Sequence, residues 1–207
     1  LGLSETIIAR FREVYAKLDL LLEYDLMLPA PKLSVPRKQI GFICRRFDTD
    51  RIAAVKAQYG PSIFVTCGKS ADLNNIQIDN WHGSIFTTIG INITATGNAN
   101  VVQLPIETFD THNYLAASDI VIAKAGWGTI SEALLSKRNL VLIEREGVLE
   151  DTENIEELTR RGVAVSIKET DLARIDMRAI KDLIADNIVR ENLDAYENAV
   201  GDILSAL

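Results

Sequence analysis

The sequence predicts an α/β fold, with a mostly parallel sheet and helices on both of its faces. Apolar runs of strand length alternate with helical patterns along most of the chain. Two of these runs, at residues 119–122 and 140–143, are almost wholly apolar, as in strands that are buried on both faces. Gly126 and Gly128 stand between them, before the helical pattern of residues 131–137. The rest of the chain is organised around this strand–helix–strand unit.

The amino-terminal part predicts a helix, a strand and a linker. Residues 4–17 carry apolar side chains spaced as on one helical face, with Ser4 as the N-cap. An apolar run at residues 18–28 predicts a strand and its exit. Three prolines in residues 29–36 then exclude a helix and a central strand. We therefore place a domain boundary between residues 36 and 37.

The other elements follow from apolar runs, helical spacing and turn residues, with residues 92–100 as a loop. Further strands are predicted at residues 39–44, 62–67, 85–89, 101–104 and 163–167. Further helices are predicted at residues 50–59, 111–117, 152–161, 171–185 and 189–207. The last two helices have a charged face, which we expect to be solvated. Residues 71–100 give the weakest pattern.

Composition and charge limit the class of protein. The 207 residues are 47% apolar and 25% charged, as in ordinary globular chains. The net charge of −7 argues against a nucleic-acid partner held by phosphate contacts. Two cysteines form no disulfide framework, and no apolar run is long enough for a membrane span. We expect a soluble, cytoplasmic chain, and the absence of an initial Met indicates a piece of a longer protein.

The turn between the two apolar strands has the residues of an anion site. Gly126 and Gly128 allow a tight turn and bring backbone N–H groups close to a ligand. Thr129 and Ser131 add hydroxyls at the helix N-terminus, where the helix dipole favours an anion. Glu132 follows in the first turn of the predicted helix, and a carboxylate suits sugar hydroxyls better than phosphate. The pattern indicates a nucleotide diphosphate with its ribose, although a strand–helix turn without a ligand also has such glycines.

Two other nucleotide motifs are approached and not matched. The sequence from Gly126 to Ser131, with Glu144 after the next strand, approaches the dinucleotide fingerprint of oxidoreductases, but serine replaces the third glycine. The strand at residues 62–67 runs into Gly68-Lys69-Ser70, but the upstream glycine of a Walker loop is absent. Gly68 and Ser70 could still meet a phosphate from a second side, or form a plain turn.

Residues 117–133, ASDIVIAKAGWGTISEA, resemble the signature of the C-terminal domain of MurG-like glycosyltransferases. The resemblance extends over residues 39–167, and Asn154 and Gly162 keep the spacing of the family's next helix and turn. It implies the GT-B fold, in which two Rossmann-like domains face each other across a cleft. Residues 37–207 would be the C-terminal, donor-binding domain. Residues 1–36 would be the last helix and strand of an N-terminal acceptor domain, plus the linker.

The resemblance also implies a ligand and its contacts. The family binds a nucleotide-sugar, usually a UDP-sugar, as a substrate and without a further cofactor. Gly126, Gly128 and Thr129, in the loop with Trp127, would hold the diphosphate, and Glu132 would accept the ribose hydroxyls. Gly68 and Ser70 would close on the phosphates from the other loop. Backbone near residues 104–107 would meet the base.

The chain departs from the family where the donor sugar binds. The family's glutamine-bearing loop is acidic here, so we assign substrate binding to Arg145, Glu150 and Asp151 and leave the sugar open. The catalytic base is unknown, since in the family it belongs to the N-terminal domain, and no metal is expected. We interpret the two histidines, His82 and His112, as packing or surface residues.

Three functions follow from these observations. The first is the donor-binding part of a glycosyltransferase that lacks its N-terminal half, with a nucleotide-sugar epimerase as a variant on the same fold. The second is a nucleotide-sugar-binding subunit that depends on a partner chain. The third is a dinucleotide-dependent oxidoreductase. For the first, we expect the chain alone to bind donor and turn over poorly, to self-associate through its exposed interdomain face, and to be peripheral at the membrane in the full-length protein.

Overall fold

The computed structural model describes residues 4–24, 34–67 and 75–205. Strands and helices alternate from residue 111 to residue 168, and every strand pairing in the described ranges is parallel, so the predicted α/β class is confirmed. The strands are β1 Leu21–Tyr24, β2 Arg37–Ile40, β3 Ser62–Thr66, β4 Ile76–Asp79, β5 Ser84–Thr87, β6 Ile93–Ala95, β7 Asn100–Gln103, β8 Ile120–Lys124, β9 Asn139–Glu144, β10 Ala164–Lys168 and β11 Arg174–Asp176. The helices are α1 Glu5–Tyr15, α2 Thr49–Tyr59, α3 Thr111–Ala117, α4 Trp127–Leu135, α5 Leu149–Arg160, α6 Met177–Asn187, α7 Arg190–Asp194 and α8 Val200–Leu204, with a 3₁₀ turn at Glu169–Ala173.

The main sheet has six strands in the order β10-β9-β8-β3-β5-β7. The chain starts at the centre with β3, builds outward through β5 and β7, and then returns to the other side of β3 with β8. This is the strand order of a Rossmann-type sheet, and the order reverses between β3 and β8. Thr66 of β3 lies opposite Ala123 of β8, so the loops after both strands leave the same edge. Ligands bind at this kind of switch point in open α/β sheets.

The main sheet separates two hydrophobic cores. Alternate residues of its strands face opposite sides, so Val121 belongs to one core and Ile122 to the other. The first core is closed by α2, α3, α4 and α5. The second core is closed by α6 and by a small parallel sheet of order β11-β4-β6. Layers on both faces therefore hold the carboxyl ends of β3 and β8 in place.

The small sheet corrects two predictions. The predicted loop at residues 92–100 is wrong at Ile93–Ala95, where β6 pairs with β4, a strand in a stretch that gave little pattern. The predicted helix at residues 171–185 is wrong in its first part, where β11 pairs with β4. The helix begins only at Met177, because Asp176 is its N-cap and accepts a hydrogen bond from the Arg178 amide. Pairing with distant strands overrides local helical spacing here.

Two further predicted elements are shorter than expected. The predicted strand at residues 39–44 ends at Ile40, and an irregular segment leads from there to α2. The predicted helix at residues 189–207 is two five-residue helices, α7 and α8. The chain between them departs from helical geometry, since the Ala199 amide donates to the backbone oxygen of Phe42 in the irregular segment.

The amino-terminal elements sit at the predicted domain boundary. Ser4 caps α1 as predicted, but Ile7, Phe11 and Val14 of this helix are 45%, 53% and 55% exposed. Strand β1 pairs with β2, with Leu21 opposite Arg37, so this pairing joins the two sides of the predicted boundary. The predicted exit of the first strand, at residues 25–28, lies outside the described residues.

Candidate functional site

The loop after β8 presents the N-terminus of α4 at the switch point. Gly126 is the N-cap, with extended backbone, and its carbonyl accepts the first helical bond from the Ile130 amide. The Gly126 amide donates a hydrogen bond to the backbone oxygen of Lys124 at 2.8 Å. No side chain of the described residues caps the helix, so the amides of residues 127–129 are its unpaired donors. Such donors, at the positive end of the helix dipole, suit an anion.

Gly128 leaves space beside these donors. Its position is helical, so the glycine is not required by backbone conformation. A Cβ placed on it would meet nothing within 4 Å in the described part of the chain, whereas one on Gly126 would touch the Lys124 side chain at 3.7 Å. Thr129, the next residue, is half-buried. Gly128 therefore leaves the surface beside the helix N-terminus open.

Glu132 lies above this space. The helix begins at Trp127, so Glu132 is in its second turn, and the prediction of the first turn is wrong because α4 starts four residues earlier than expected. Glu132 is four residues after Gly128, so both are on one helix face, and helical side chains lean toward the N-terminus. Its side chain is only 12% exposed. The carboxylate is thus held beside the open surface over Gly128.

Arg45 binds this carboxylate. Its Nε donates to Glu132 Oε1 at 2.9 Å, and its two terminal nitrogens donate to the backbone oxygen of Phe109 at 2.8 Å and to Thr111 Oγ1 at 3.3 Å. Arg45 is 87 residues from Glu132 in the chain, and its sequence context does not predict this contact. The only signal for it is a pair of adjacent arginines, Arg45 and Arg46, after an apolar stretch of an acidic chain.

Asn154 fixes the loop itself. Its side-chain amide donates to the backbone oxygen of Ala125 at 3.1 Å, and both residues are buried. Asn154 lies on α5, so this bond ties the glycine loop to the next helix of the sheet. The resemblance marked this asparagine by its spacing, and the structure places it against the loop.

The side chain of Trp127 is half-buried against two other aromatic rings. Its ring stacks on Tyr24 at 4.9 Å between centroids and packs against Phe42 at 6.0 Å. Trp127 therefore contributes its backbone amide to the helix N-terminus, while its indole packs α4 against β1 and the irregular segment after β2.

The predicted substrate residues divide into a buried pair and an exposed carboxylate. Arg145 Nε donates to Asp151 Oδ2 at 2.6 Å, and the side chains are 15% and 4% exposed. This hydrogen bond raises the pKa of the Arg145 guanidinium. Glu150 is exposed at the start of α5. Arg145 and Asp151 thus hold each other, and Glu150 is open to a ligand.

Charged groups surround the ends of the central strands. Burial raises the pKa of Cys67, directly after β3, to about 12. The nearby positive charges of Arg145 and Lys124 act to lower this pKa, and the negative charge of Glu169 acts to raise it. Arg145 and Glu169 also line a pocket of about 650 Å³ at the carboxyl ends of β9 and β10. The charge of Arg145, after β9, thus acts on the end of β3, although β8 lies between these two strands. Gly68 and Ser70, predicted to contact the phosphates, lie outside the described residues.

The remaining candidates are structural or exposed. His112 is buried, and its Nε2 donates to the backbone oxygen of Arg46 at 3.0 Å, while His82 is exposed before β5. Near the predicted base contact, Leu104 is buried and its amide donates to the oxygen of Thr87. The described residues contain no group of His, Cys, Asp and Glu that could hold a metal ion. Their helices include none with the length and apolar character needed to cross a bilayer.

Comparisons with known proteins agree with this geometry. Residues 53–200 match the family model of the glycosyltransferase family 28 C-terminal domain. MurG of Acinetobacter baumannii is similar in structure, with a TM-score of 0.52 and 14% identity over 100% of this chain and 63% of that one. The glycosyltransferase SnogD from Streptomyces nogalater has a TM-score of 0.55 and 14% identity, over 89% of this chain and 55% of that one.

A plant structure has the same fold. UGT2 of Phytolacca americana, in complex with UDP-2-fluoro-glucose and pterostilbene, has a TM-score of 0.58 and 12% identity, over 94% of this chain and 54% of that one. No curated protein matches the chain in sequence. At these identities the likeness concerns the fold, and the chain spans less than two thirds of each of the three structures.

Proposed function

This chain belongs to the glycosyltransferase family 28 C-terminal domain, and from that membership we propose that it binds the nucleotide-sugar donor of a MurG-like, GT-B glycosyltransferase. The donor we propose is a UDP-sugar, whose sugar the complete enzyme transfers to an acceptor hydroxyl. One observation carries the proposal: the carboxylate of Glu132 is buried beside the open surface over Gly128, at the switch point of the sheet.

The diphosphate would occupy the N-terminus of α4. The amides of residues 127–129 are unpaired within the described chain. An anion at this helix end would accept hydrogen bonds from them and would be attracted by the positive end of the helix dipole. The Thr129 hydroxyl lies in the same turn. Gly68 and Ser70 come after β3 in the sequence, and the end of β3 lies beside the end of β8. We propose that these two residues contact the phosphates from the other side.

The ribose would lie on Glu132. A carboxylate accepts hydrogen bonds and does not donate them, so it pairs with the two hydroxyls of a ribose and repels a phosphate. This division of labour orients the nucleotide, with the phosphates toward Gly128 and the ribose toward the carboxylate. The plant structure, solved with a UDP-sugar analogue, supports uracil as the base.

The donor sugar would extend toward the segment after β9. Arg145 lies close enough to the end of β3 to act on the pKa of Cys67. In this proposal the ion pair of Arg145 with Asp151 fixes the segment, and the exposed Glu150 meets the sugar hydroxyls. The acidic character of this segment leaves the sugar open.

The reaction needs groups that the described site lacks. Transfer with inversion requires a general base that deprotonates the acceptor, together with donors that stabilise the leaving diphosphate. The N-terminus of α4 supplies such donors. Among the described residues, His112 is committed to the Arg46 carbonyl. We therefore propose that the base and the acceptor site belong to a preceding domain, of which residues 1–36 are the end, and that the chain alone turns over poorly.

Calorimetric titration of the chain with UDP, and separately with NAD, tests the proposal. We expect UDP to bind and NAD to bind at least about tenfold more weakly, because Glu132 and the acidic segment are arranged around one nucleotide and its sugar. Tighter binding of NAD would support the dinucleotide-dependent oxidoreductase. Turnover of a UDP-sugar only after a partner chain is added would identify a nucleotide-sugar-binding subunit. Conversion of the UDP-sugar without an acceptor would identify an epimerase.

A further inference from the structure

The guanidinium of Arg45 connects three parts of the site that are distant in sequence. Each of its three nitrogens has a different partner: Glu132 on α4, the Phe109 carbonyl before α3, and the Thr111 hydroxyl on α3. A guanidinium is planar, so three bonds fix its orientation as well as its position. Arg45 is thereby held rigidly although half of its side chain is exposed.

The bond to Arg45 uses only part of the carboxylate of Glu132. A carboxylate has two oxygens and about four acceptor positions, and Arg45 Nε occupies one position on Oε1. The other positions remain for hydroxyl donors. A free glutamate has several rotamers, and selecting one of them on binding weakens the affinity by about 2- to 10-fold. A glutamate that is already held avoids this cost.

We propose that Arg45 is the positioning residue of the ribose site, which holds Glu132 in the orientation that accepts the ribose hydroxyls. The inference rests on the proposed function, because it assumes that Glu132 binds the ribose. Arg45 acts through Glu132 and touches no reacting atom. Arg45 also bonds the segment before α3, so the distance between the Glu132 carboxylate and this segment is fixed.

A change at Arg45 must be separated from the loss of a positive charge near the phosphates. Charge attraction acts equally on UDP and on 2′-deoxy-UDP, since both carry the same diphosphate. Positioning of Glu132 acts more strongly on UDP, because 2′-deoxy-UDP keeps only the 3′-hydroxyl for the carboxylate. The ratio of the two dissociation constants therefore reports on positioning, and the absolute affinity reports on charge.

The experiment is calorimetric titration of the whole chain with UDP and with 2′-deoxy-UDP. The variants are Arg45→Ala, Arg45→Lys and the matched control Arg46→Ala, which removes the same charge from the next residue. Only the backbone oxygen of Arg46 contacts His112, and this group is unchanged in the control. Circular dichroism and thermal unfolding establish which variants are folded.

We expect the unmodified chain to prefer UDP over the deoxy ligand by about 10- to 100-fold, the range for a hydrogen bond to a charged group. In Arg45→Ala the preference should fall by about 2- to 10-fold, the affinity that a Glu132 already held in one rotamer gains, and in Arg46→Ala it should persist. Arg45→Lys, which can reach one of the three partners, should retain part of it. If Arg45→Ala is unfolded, the ratio in Arg45→Lys decides the question.

Two results would overturn the inference, and they differ in what else they affect. If Arg45→Ala weakens both ligands equally and keeps the preference, Arg45 does not position Glu132, while the proposed function stands. If the unmodified chain binds UDP without preferring it to 2′-deoxy-UDP, or binds neither, the assignment of Glu132 to the ribose fails and the inference fails with it.

Discussion

The side-chain amide of Asn154 donates a 3.1 Å hydrogen bond to the backbone oxygen of Ala125, with both residues buried. This bond joins α5 to the loop that presents the N-terminus of α4. A buried carbonyl that loses its partner costs about 1–3 kcal/mol. The position of the glycine loop therefore depends on a side chain from the next helix along the sheet.

Replacement of Asn154 should lower stability. We expect Asn154→Ala to reduce the free energy of unfolding by about 1–3 kcal/mol, because the Ala125 carbonyl stays buried without a donor. The matched control is Asn187→Ala, since Asn187 also donates to a backbone oxygen, that of Leu183, but is exposed. Its cost should be within about 0.5 kcal/mol. If urea unfolding gave the same loss of unfolding free energy for both variants, the bond to Ala125 would stabilise the fold no more than an exposed hydrogen bond does.

Removal of the carboxylate at Glu132 should weaken nucleotide binding. Glu132→Ala should raise the dissociation constant for UDP by about 10- to 100-fold, since two ribose hydroxyls lose a charged acceptor. The control Glu191→Ala makes the same change of charge on α7. This helix lies near the amino ends of the strands, away from the site, because its residue Asn192 donates to the backbone oxygen of Arg161, just before β10. This control should leave calorimetric UDP affinity within about twofold. An equal loss of UDP affinity in both variants would mean that the change in net charge, and not the position of Glu132, causes it.

Gly128→Ala should separate stability from binding. The position is helical and open, so alanine should add about 0.4–1 kcal/mol to the free energy of unfolding. The same methyl group would occupy the space assigned to the diphosphate and lower UDP affinity by more than about tenfold. Gly201→Ala in α8 is the control, because among the described residues a Cβ there also meets nothing within 4 Å. It should stabilise without affecting UDP; unchanged binding in Gly128→Ala would mean that the ligand lies elsewhere.

Arg145 and Glu150 should differ in their effects. Arg145→Ala leaves Asp151 buried without its partner, and breaking a buried pair in this way costs about 3–5 kcal/mol. Glu150→Ala, at an exposed position, should change the free energy of unfolding by less than about 0.5 kcal/mol. Thermal and urea unfolding measure both. A mild effect of Arg145→Ala would indicate that the pair is not a structural support and that Arg145 is available to the donor sugar.

Acid stability should depend on Asp79 in the small sheet. Hydrogen bonds from Gln77, Arg174 and Thr96 lower the pKa of Asp79 from 3.8 to about 2. Because the folded state favours the ionised carboxylate, Asp79 adds to the free energy of unfolding above pH 3.8. This stabilisation is lost as the pH falls toward 2. Asp79→Asn should therefore flatten the pH dependence of unfolding in this window, and Gln77→Ala should do so partly. Parallel curves for all three proteins would contradict this role.

The fold class and the unit around α4 were predictable from the sequence, because buried parallel strands and a glycine turn leave a local pattern. The strand order was not, since pairing between β3 and β8 joins residues that are far apart in the chain. Strands β4, β6 and β11 have only three or four residues and are stabilised by each other, so local spacing indicates them poorly.

The candidate site shows the same division. Gly126, Gly128 and Glu132 are close in sequence, and their spacing was enough to predict that they lie together near one helix N-terminus. Arg45 could not be assigned to them, because its role arises only when the segment after β2 folds against α3 and α4. The indole of Trp127 was also unpredictable, since its partner Tyr24 belongs to the amino-terminal strand.

A crystal structure of the chain with UDP would show where the nucleotide binds. We expect the diphosphate at the amides of residues 127–129 and both ribose hydroxyls within hydrogen-bond distance of Glu132. We also expect Arg45 to keep its bond to the Glu132 carboxylate in the complex. UDP bound with its ribose away from Glu132, or with its phosphates away from the N-terminus of α4, would contradict the proposed donor site.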